Sequence, residues 1–460
     1  MTLHPTPSSP QTQSSRIMRA FGMLLILGSS CSAVTPKDSH ESKLKFYGTD
    51  NQRVVMTFEN YLWFQIPGDW TAPVEELLTS PHRATIDEQI DLQLQHMFGV
   101  FTVQKDFINR PGVVENSPKV DILRATKVPG EPFAKIAYSY EDTALFHKDL
   151  MRIYGNEIRF WLPKDVVGIY AKGIPAGHHK NLCTDEHYNS EGDFWYFWDP
   201  DMEGCPIEKK DLVRVTATLQ PMPNSSDTYP DYARLYASNG NRRSLKVVVM
   251  VGIDEDFSDE DLGREAFNGD VDYLINLGYQ VENRGRRQVS FKSGPNAEFD
   301  LDMNVYLVDQ NNDQFDELAI DALETSDIFV YSGHSGLGGH LAPGRFEDFI
   351  GRKIKMPRDK YQILAFQGCS TYAYYNESYF DLKRSASDPS GSKNLDIITA
   401  GIGLLFESGP GQDAMILDSL LNGKRHSWQK IIRDVYAVDP ESTALHQVNG
   451  DEDNPKTPGW

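Results

Sequence analysis

Two side chains in this sequence are placed to work together as nucleophile and base, Cys369 and His334. His334 follows Asp327-Ile328-Phe329-Val330-Tyr331-Ser332-Gly333, and Cys369 follows Tyr361-Gln362-Ile363-Leu364-Ala365-Phe366-Gln367-Gly368. Both preceding runs are short and largely apolar without alternation, the pattern of a strand buried on both faces. The stretch between them is long enough for a crossover, so the two strands are expected to be parallel neighbours. Parallel neighbours end at one sheet edge, and open α/β sheets bind ligands at the carboxyl ends of their strands. An imidazole beside a thiol there can draw off its proton and leave a thiolate nucleophile. Taken singly, a Cys on an apolar strand is more often a buried core residue and a lone His a satisfied polar one. The ordered pair, each at a strand end among small residues, is what points to chemistry.

The surrounding elements must set that edge. Lys246–Ile253 reads as a buried strand and Asp259–Leu277 as a helix, with acids in its first turn and Gly278 as its stop. A strand beginning at Tyr279, a strand at Asn304–Val308 and a helix from about Asp313 to Leu323 follow. After the His334 and Cys369 strands come a strand at Asn394–Gly401 and one long or two short helices within Asp413–Val435. This alternation predicts an α/β domain over 241–438, a mostly parallel sheet with helices on both faces. The residues from 439 to 460 read as a polar tail.

Residues 44–240 read as a strand-rich mixed α+β domain. Arg53–Phe58 and Trp63–Ile66 are expected to be separate strands around Glu59-Asn60-Tyr61, Ala84–Phe101 a helix, and Lys135–Tyr140 and Ile158–Leu162 further strands. Cys183 and Cys205 flank Phe194-Trp195-Tyr196-Phe197-Trp198 and are expected to form a disulfide that closes a loop of core aromatics. A zinc site from His178, His179, Cys183, His187 and Cys205 is the competing reading, although the spacing matches no compact zinc pattern.

Residues 1–34 read as an export signal. Arg16 and Arg19 precede the short apolar run Ala20–Leu27, too short to span a bilayer. Gly28-Ser29-Ser30-Cys31 resembles a bacterial lipoprotein box, which would make Cys31 a lipidation site; the family places Leu three residues before the Cys, whereas Leu27 stands four before. The expected location is the periplasm, the outer membrane or the exterior, with membrane contact only through a lipid on Cys31. A net charge of −21 argues against a nucleic-acid surface and against broad contact with anionic membranes. With 40% hydrophobic and 24% charged residues over 460 positions, the chain can fill two or three cores.

Two acidic loops are expected at the edge that holds the pair, Asp254–Asp261 and Asp309–Asp313. Helix capping and dipole matching explain such loops most simply. The functional readings are calcium, with Asp254, Asp256 and Asp309 as ligands, or a pocket for basic side chains. No other cofactor is expected.

Tyr331-Ser332-Gly333-His334 and Gln367-Gly368-Cys369, each after an apolar strand, resemble the catalytic His and Cys segments of the caspase-like cysteine peptidases, which include metacaspases, caspases, gingipains and legumains. The resemblance covers roughly residues 245 to 436. It implies a caspase-like fold there and an endopeptidase with a peptide or protein substrate, Cys369 as nucleophile and His334 as base and leaving-group acid. It also implies an oxyanion site from the N–H groups of Cys369 and of the residue after the His. The family has Gly at that second position; this chain has Ser335, with Gly336 next. Two other readings stand beside it. One is a caspase-like scaffold that binds a partner at the cell envelope without turnover. The other is a serine hydrolase using Ser335 with His426 or His446, in which Leu337 occupies the place of a required small residue.

Overall fold

A computed structural model describes residues 51–174, 180–184, 188, 193–222, 228–236, 243–296, 298–404, 406, 411–438 and 444–459. The readings placed on residues 1–34, on Cys31 and on His178, His179 and His187 lie outside the described residues.

The front half is built on an antiparallel sheet. Its strands are β1 (Asn51–Gln65), β2 (Gly112–Val114), β3 (Lys119–Lys127), β4 (Phe133–His147), β5 (Glu157–Pro163) and β6 (Leu212–Pro221), in the order β2-β4-β1-β6-β5 with β3 on β4. The two strands expected around Glu59-Asn60-Tyr61 are one. β1 runs through that triplet and pairs with β4 from Asn51↔His147 to Gln65↔Phe133. Asn60 interrupts the apolar pattern without breaking the strand because its buried amide donates to Tyr138 Oη at 2.9 Å and to Gln93 Oε1 at 3.3 Å. The single helix expected over Ala84–Phe101 is two, α1 (Arg83–Gln95) and α2 (Met97–Val103), joined at buried His96. The imidazole of His96 reaches Leu92 O at 2.7 Å and sits edge-on to Trp198 and Phe194.

Cys183 and Cys205 form the disulfide, so neither can serve a zinc site as a thiolate. The bridge closes a segment whose Phe194, Trp195, Tyr196 and Trp198 lie in the core. With a sequence separation of 22 between the half-cystines, Cys205→Ser is expected to cost ~3 kcal/mol. A non-reducing thermal melt compared with wild type checks this, and an unchanged midpoint would show that packing alone holds the loop.

The second half is an eight-stranded sheet of β7 (Arg243–Gly252), β8 (Gln280–Arg284), β9 (Gln288–Ser293), β10 (Phe299–Val308), β11 (Ile328–Ser332), β12 (Gln362–Gln367), β13 (Leu395–Thr399) and β14 (Gln447–Asn449). The order is β14-β13-β12-β11-β7-β10-β9-β8, with the five strands from β13 to β10 parallel and both margins antiparallel. Alternate residues of the central strands feed two cores. Val247, Val249, Val330 and Ala365 pack toward helices α3 (Leu262–Asn276), α7 (Gln412–Leu421) and α8 (Trp428–Val438). Val248, Met250, Phe329 and Leu364 pack toward α4 (Asp313–Thr325), α5 (Pro343–Ile350) and α6 (Thr371–Lys383). The molecule is thus a mixed α/β protein with helices on both faces of its second sheet. No helix among the described residues is long and apolar enough to cross a membrane.

The expected polar tail is not one. β14 pairs antiparallel with β13, and residues 444–451 are buried. The segment is tied to the rest of the chain by long-range hydrogen bonds: Asn449 Nδ2 donates to Asn376 Oδ1 at 2.9 Å, and Asn51 Nδ2 from the front sheet donates to the His446 backbone carbonyl at 2.8 Å.

Candidate active site

Strand register brings the predicted pair level. β11 and β12 are parallel neighbours, and Ser332 on one is the partner of Gln367 on the other. His334 and Cys369 each stand two residues beyond that last rung, and strands so paired lie about 4.8 Å apart. Both side chains line one cleft, with Ser332, Gly333, Gln367, Leu404, Phe406 and Gln412 around them.

Small residues make this approach feasible. Gly333 has φ 152°, and a Cβ there would stand 2.9 Å from Tyr331 Oη and 3.1 Å from Gly252 Cα. A Cβ on Gly368 would stand 2.6 Å from the Gly333 carbonyl oxygen. Because that neighbour is backbone, Gly368→Ala must push the two strand ends apart. The expected result is a loss of about 1–3 kcal/mol in stability and a fall in any activity of the cleft. Denaturant titration with a parallel assay checks it, and an unaffected variant would mean the turns separate freely.

The His334 ring is held on several sides. Its Nε2 lies 3.1 Å from Asp254 Oδ1, and Phe406 packs edge-on at 5.2 Å. Its carbonyl accepts from Tyr331 Oη at 2.5 Å and lies 2.8 Å from His340 Nδ1. Asp254 comes from the loop after β7, which is itself organised by Asp261. The Asp261 carboxylate accepts the N–H groups of Asp254, Glu255 and Asp256 and caps α3 through Arg264 N. If Asp254 accepts the Nε2 proton, Nδ1 is left bare as the basic nitrogen. Asp254, the carboxylate against the His334 ring, thus belongs to a loop whose sequence pointed to capping or calcium.

The three proposed calcium ligands do not converge. Asp254 is on His334, Asp256 accepts from Ser258 N at 2.7 Å, and Asp309 accepts from Asn311 N at 2.9 Å. Among the described residues no group of three or more His, Cys, Asp or Glu side chains is placed to share a metal ion.

Cys369 is partly exposed at the cleft, and its Sγ lies 3.9 Å from Leu404 O. Burial pushes its thiol above the ordinary range, with backbone hydrogen bonding from Leu404 and from Cys369 itself only partly offsetting that. Burial therefore favours the protonated sulfur. On the oxyanion side, Ser335 N is 3.7 Å from the position of a Cβ on Gly368, close to the Cys369 turn. The Ser335 carbonyl is fixed by Gly338 N and His340 N, both at 3.1 Å, and by Tyr375 Oη at 3.0 Å. Ser335 is buried, and neither candidate base bonds to it. His426 Nδ1 is 3.5 Å from Asp434 Oδ2, and buried His446 places Nε2 2.7 Å from Gln367 Oε1. The arrangement the serine-hydrolase reading needs is absent among these residues.

No protein-family model matches this chain, and no curated protein matches it.

Proposed function

We propose that this protein is a caspase-like cysteine endopeptidase, exported and held at the membrane, if at all, by a lipid on Cys31. The observation that carries the reading is the level placement of His334 and Cys369 beyond the Ser332↔Gln367 rung, opening on one cleft with Asp254 behind the imidazole. Because burial favours the neutral thiol, His334 Nδ1 acts as a general base when a peptide carbonyl is in place. The sulfur then bonds to the carbonyl carbon as its proton passes to His334. The oxyanion is met by the N–H groups of Cys369 and Ser335. His334 returns the proton to the departing amine, which leaves an acyl-enzyme, and water hydrolyses that thioester.

A second reading has one observation in its favour. A thiol raised by burial is also what an inert cysteine shows, as in a caspase-like scaffold that binds without turnover. Labelling separates the two. A peptide bearing a thiol-reactive electrophile is expected to label Cys369 at pH 7, since the peptide seats the reacting carbon against both side chains; no labelling would leave the binding scaffold. Iodoacetamide, which brings no peptide, should show the ground state. Its alkylation rate is expected to keep rising with pH beyond the usual thiol midpoint of about 8.5, because a raised thiol pKa moves thiolate formation to higher pH. A midpoint below that value would instead indicate a preformed thiolate–imidazolium pair.

A further inference from the structure

The residue after the candidate nucleophile is strained. Ser370 has φ 54°, in the left-handed region, although it is not glycine. It turns the chain from β12 into α6 and stands at the N-cap of that helix without capping it through its side chain. Such a conformation costs of order 1 kcal/mol or more and persists only where the surroundings hold it. The partner of its Oγ comes from the other half of the chain: Tyr196 Oη, at 2.9 Å, with both residues buried.

Tyr196 is itself firmly placed. It stacks on Phe98 of α2 at 5.8 Å, and Phe98 stacks on Tyr374 of α6 at 5.9 Å with the rings 9° from parallel. Tyr372 and Ala373, in the first turn of α6, belong to the hydrophobic core of the front domain. The front domain also reaches the other wall of the cleft, since a Cβ on Gly401 would stand 3.1 Å from Val113 Cγ1. That segment continues to Leu404, whose carbonyl faces the Cys369 sulfur.

We propose that the front domain is a working part of the catalytic apparatus and that Tyr196 is a positioning residue, pinning Ser370 so that the Cys369 N–H is aimed at the oxyanion. The inference rests on the reading of Cys369 as the nucleophile. It assigns the antiparallel domain a role inside the reaction centre, fixing the nucleophile turn from behind.

The test is Tyr196→Phe in the full chain, which keeps the stacked ring and removes the hydroxyl. The expected result is a fall of about tenfold or more in kcat for peptide hydrolysis with KM unchanged. The melting temperature should hold, and iodoacetamide alkylation of Cys369, which forms no oxyanion, should stay within about twofold of wild type. A second variant isolates the contact. Ser370→Gly accepts a positive φ without strain and has no Oγ, so adding Tyr196→Phe to it should cost nothing further. Unimpaired kcat in Tyr196→Phe, equal losses in hydrolysis and alkylation, or additive losses in the double variant would each overturn the role of Tyr196 and leave the peptidase reading standing. A wild-type protein that hydrolyses no peptide would overturn both.

Discussion

Cys369→Ala is expected to leave a folded protein in which peptide hydrolysis has fallen by at least about 10⁴-fold. In the proposed mechanism the sulfur is the atom that bonds to the carbonyl carbon, and alanine offers no replacement. What survives is whatever the oxyanion donors and substrate binding achieve without a nucleophile. The fold should barely register the change. Cys369 is partly exposed at the cleft, and its sulfur lies at a long 3.9 Å from Leu404 O, so its removal should cost less than about 1 kcal/mol. The measurement is cleavage of a peptide library, scanned over the residue before the scissile bond, alongside a thermal melt. Hydrolysis that continues at the wild-type rate would end the mechanism.

The second large effect is expected at Asp254→Asn, a fall of about 10²-fold in kcat with little change in KM. Asp254 Oδ1 lies 3.1 Å from His334 Nε2 and is mostly shielded from solvent. A carboxylate can only accept there, which keeps the proton on Nε2 and leaves Nδ1 as the nitrogen the proposed mechanism uses as base. An asparagine can turn its NH₂ toward the ring and favour the opposite tautomer, which takes the basic lone pair off Nδ1. It also removes the negative charge that stabilises the imidazolium formed as the thiol gives up its proton. Asp254 makes no first-turn helix cap, since Asp261 has that duty. The variant should therefore melt near wild type, and an unchanged kcat would reduce the contact to packing.

Much of the reaction edge was legible because burial on both faces writes itself as unbroken apolar sequence. Ile328–Tyr331 and Ile363–Phe366 are fully buried, and nothing polar interrupts either run. The same signal fails where buried residues are polar and satisfied at a distance. Gln447 and Asn449 look like a solvated tail until Asn376, far along the chain on α6, is seen to accept from Asn449. Asn60 hid the continuity of β1 for the same reason, its partners lying on Gln93 and Tyr138. The Asp254–His334 contact joins residues 80 apart, and no local pattern distinguishes an acid that orients a base from one that caps a helix. The strand-rich front half had a recognisable disulfide and core aromatics. That Tyr196 would lie against Ser370 was not encoded in any spacing.

The late strand also has a consequence for when the molecule can come into being. β14 completes the sheet beside β13, and His446 just before it props Gln367 at the floor of the cleft. A ribosome must therefore release the chain through Asn449 before that wall exists, so a nascent chain carrying both His334 and Cys369 would still lack a finished site. Such timing would hold back a thiol-bearing cleft until synthesis has passed β14.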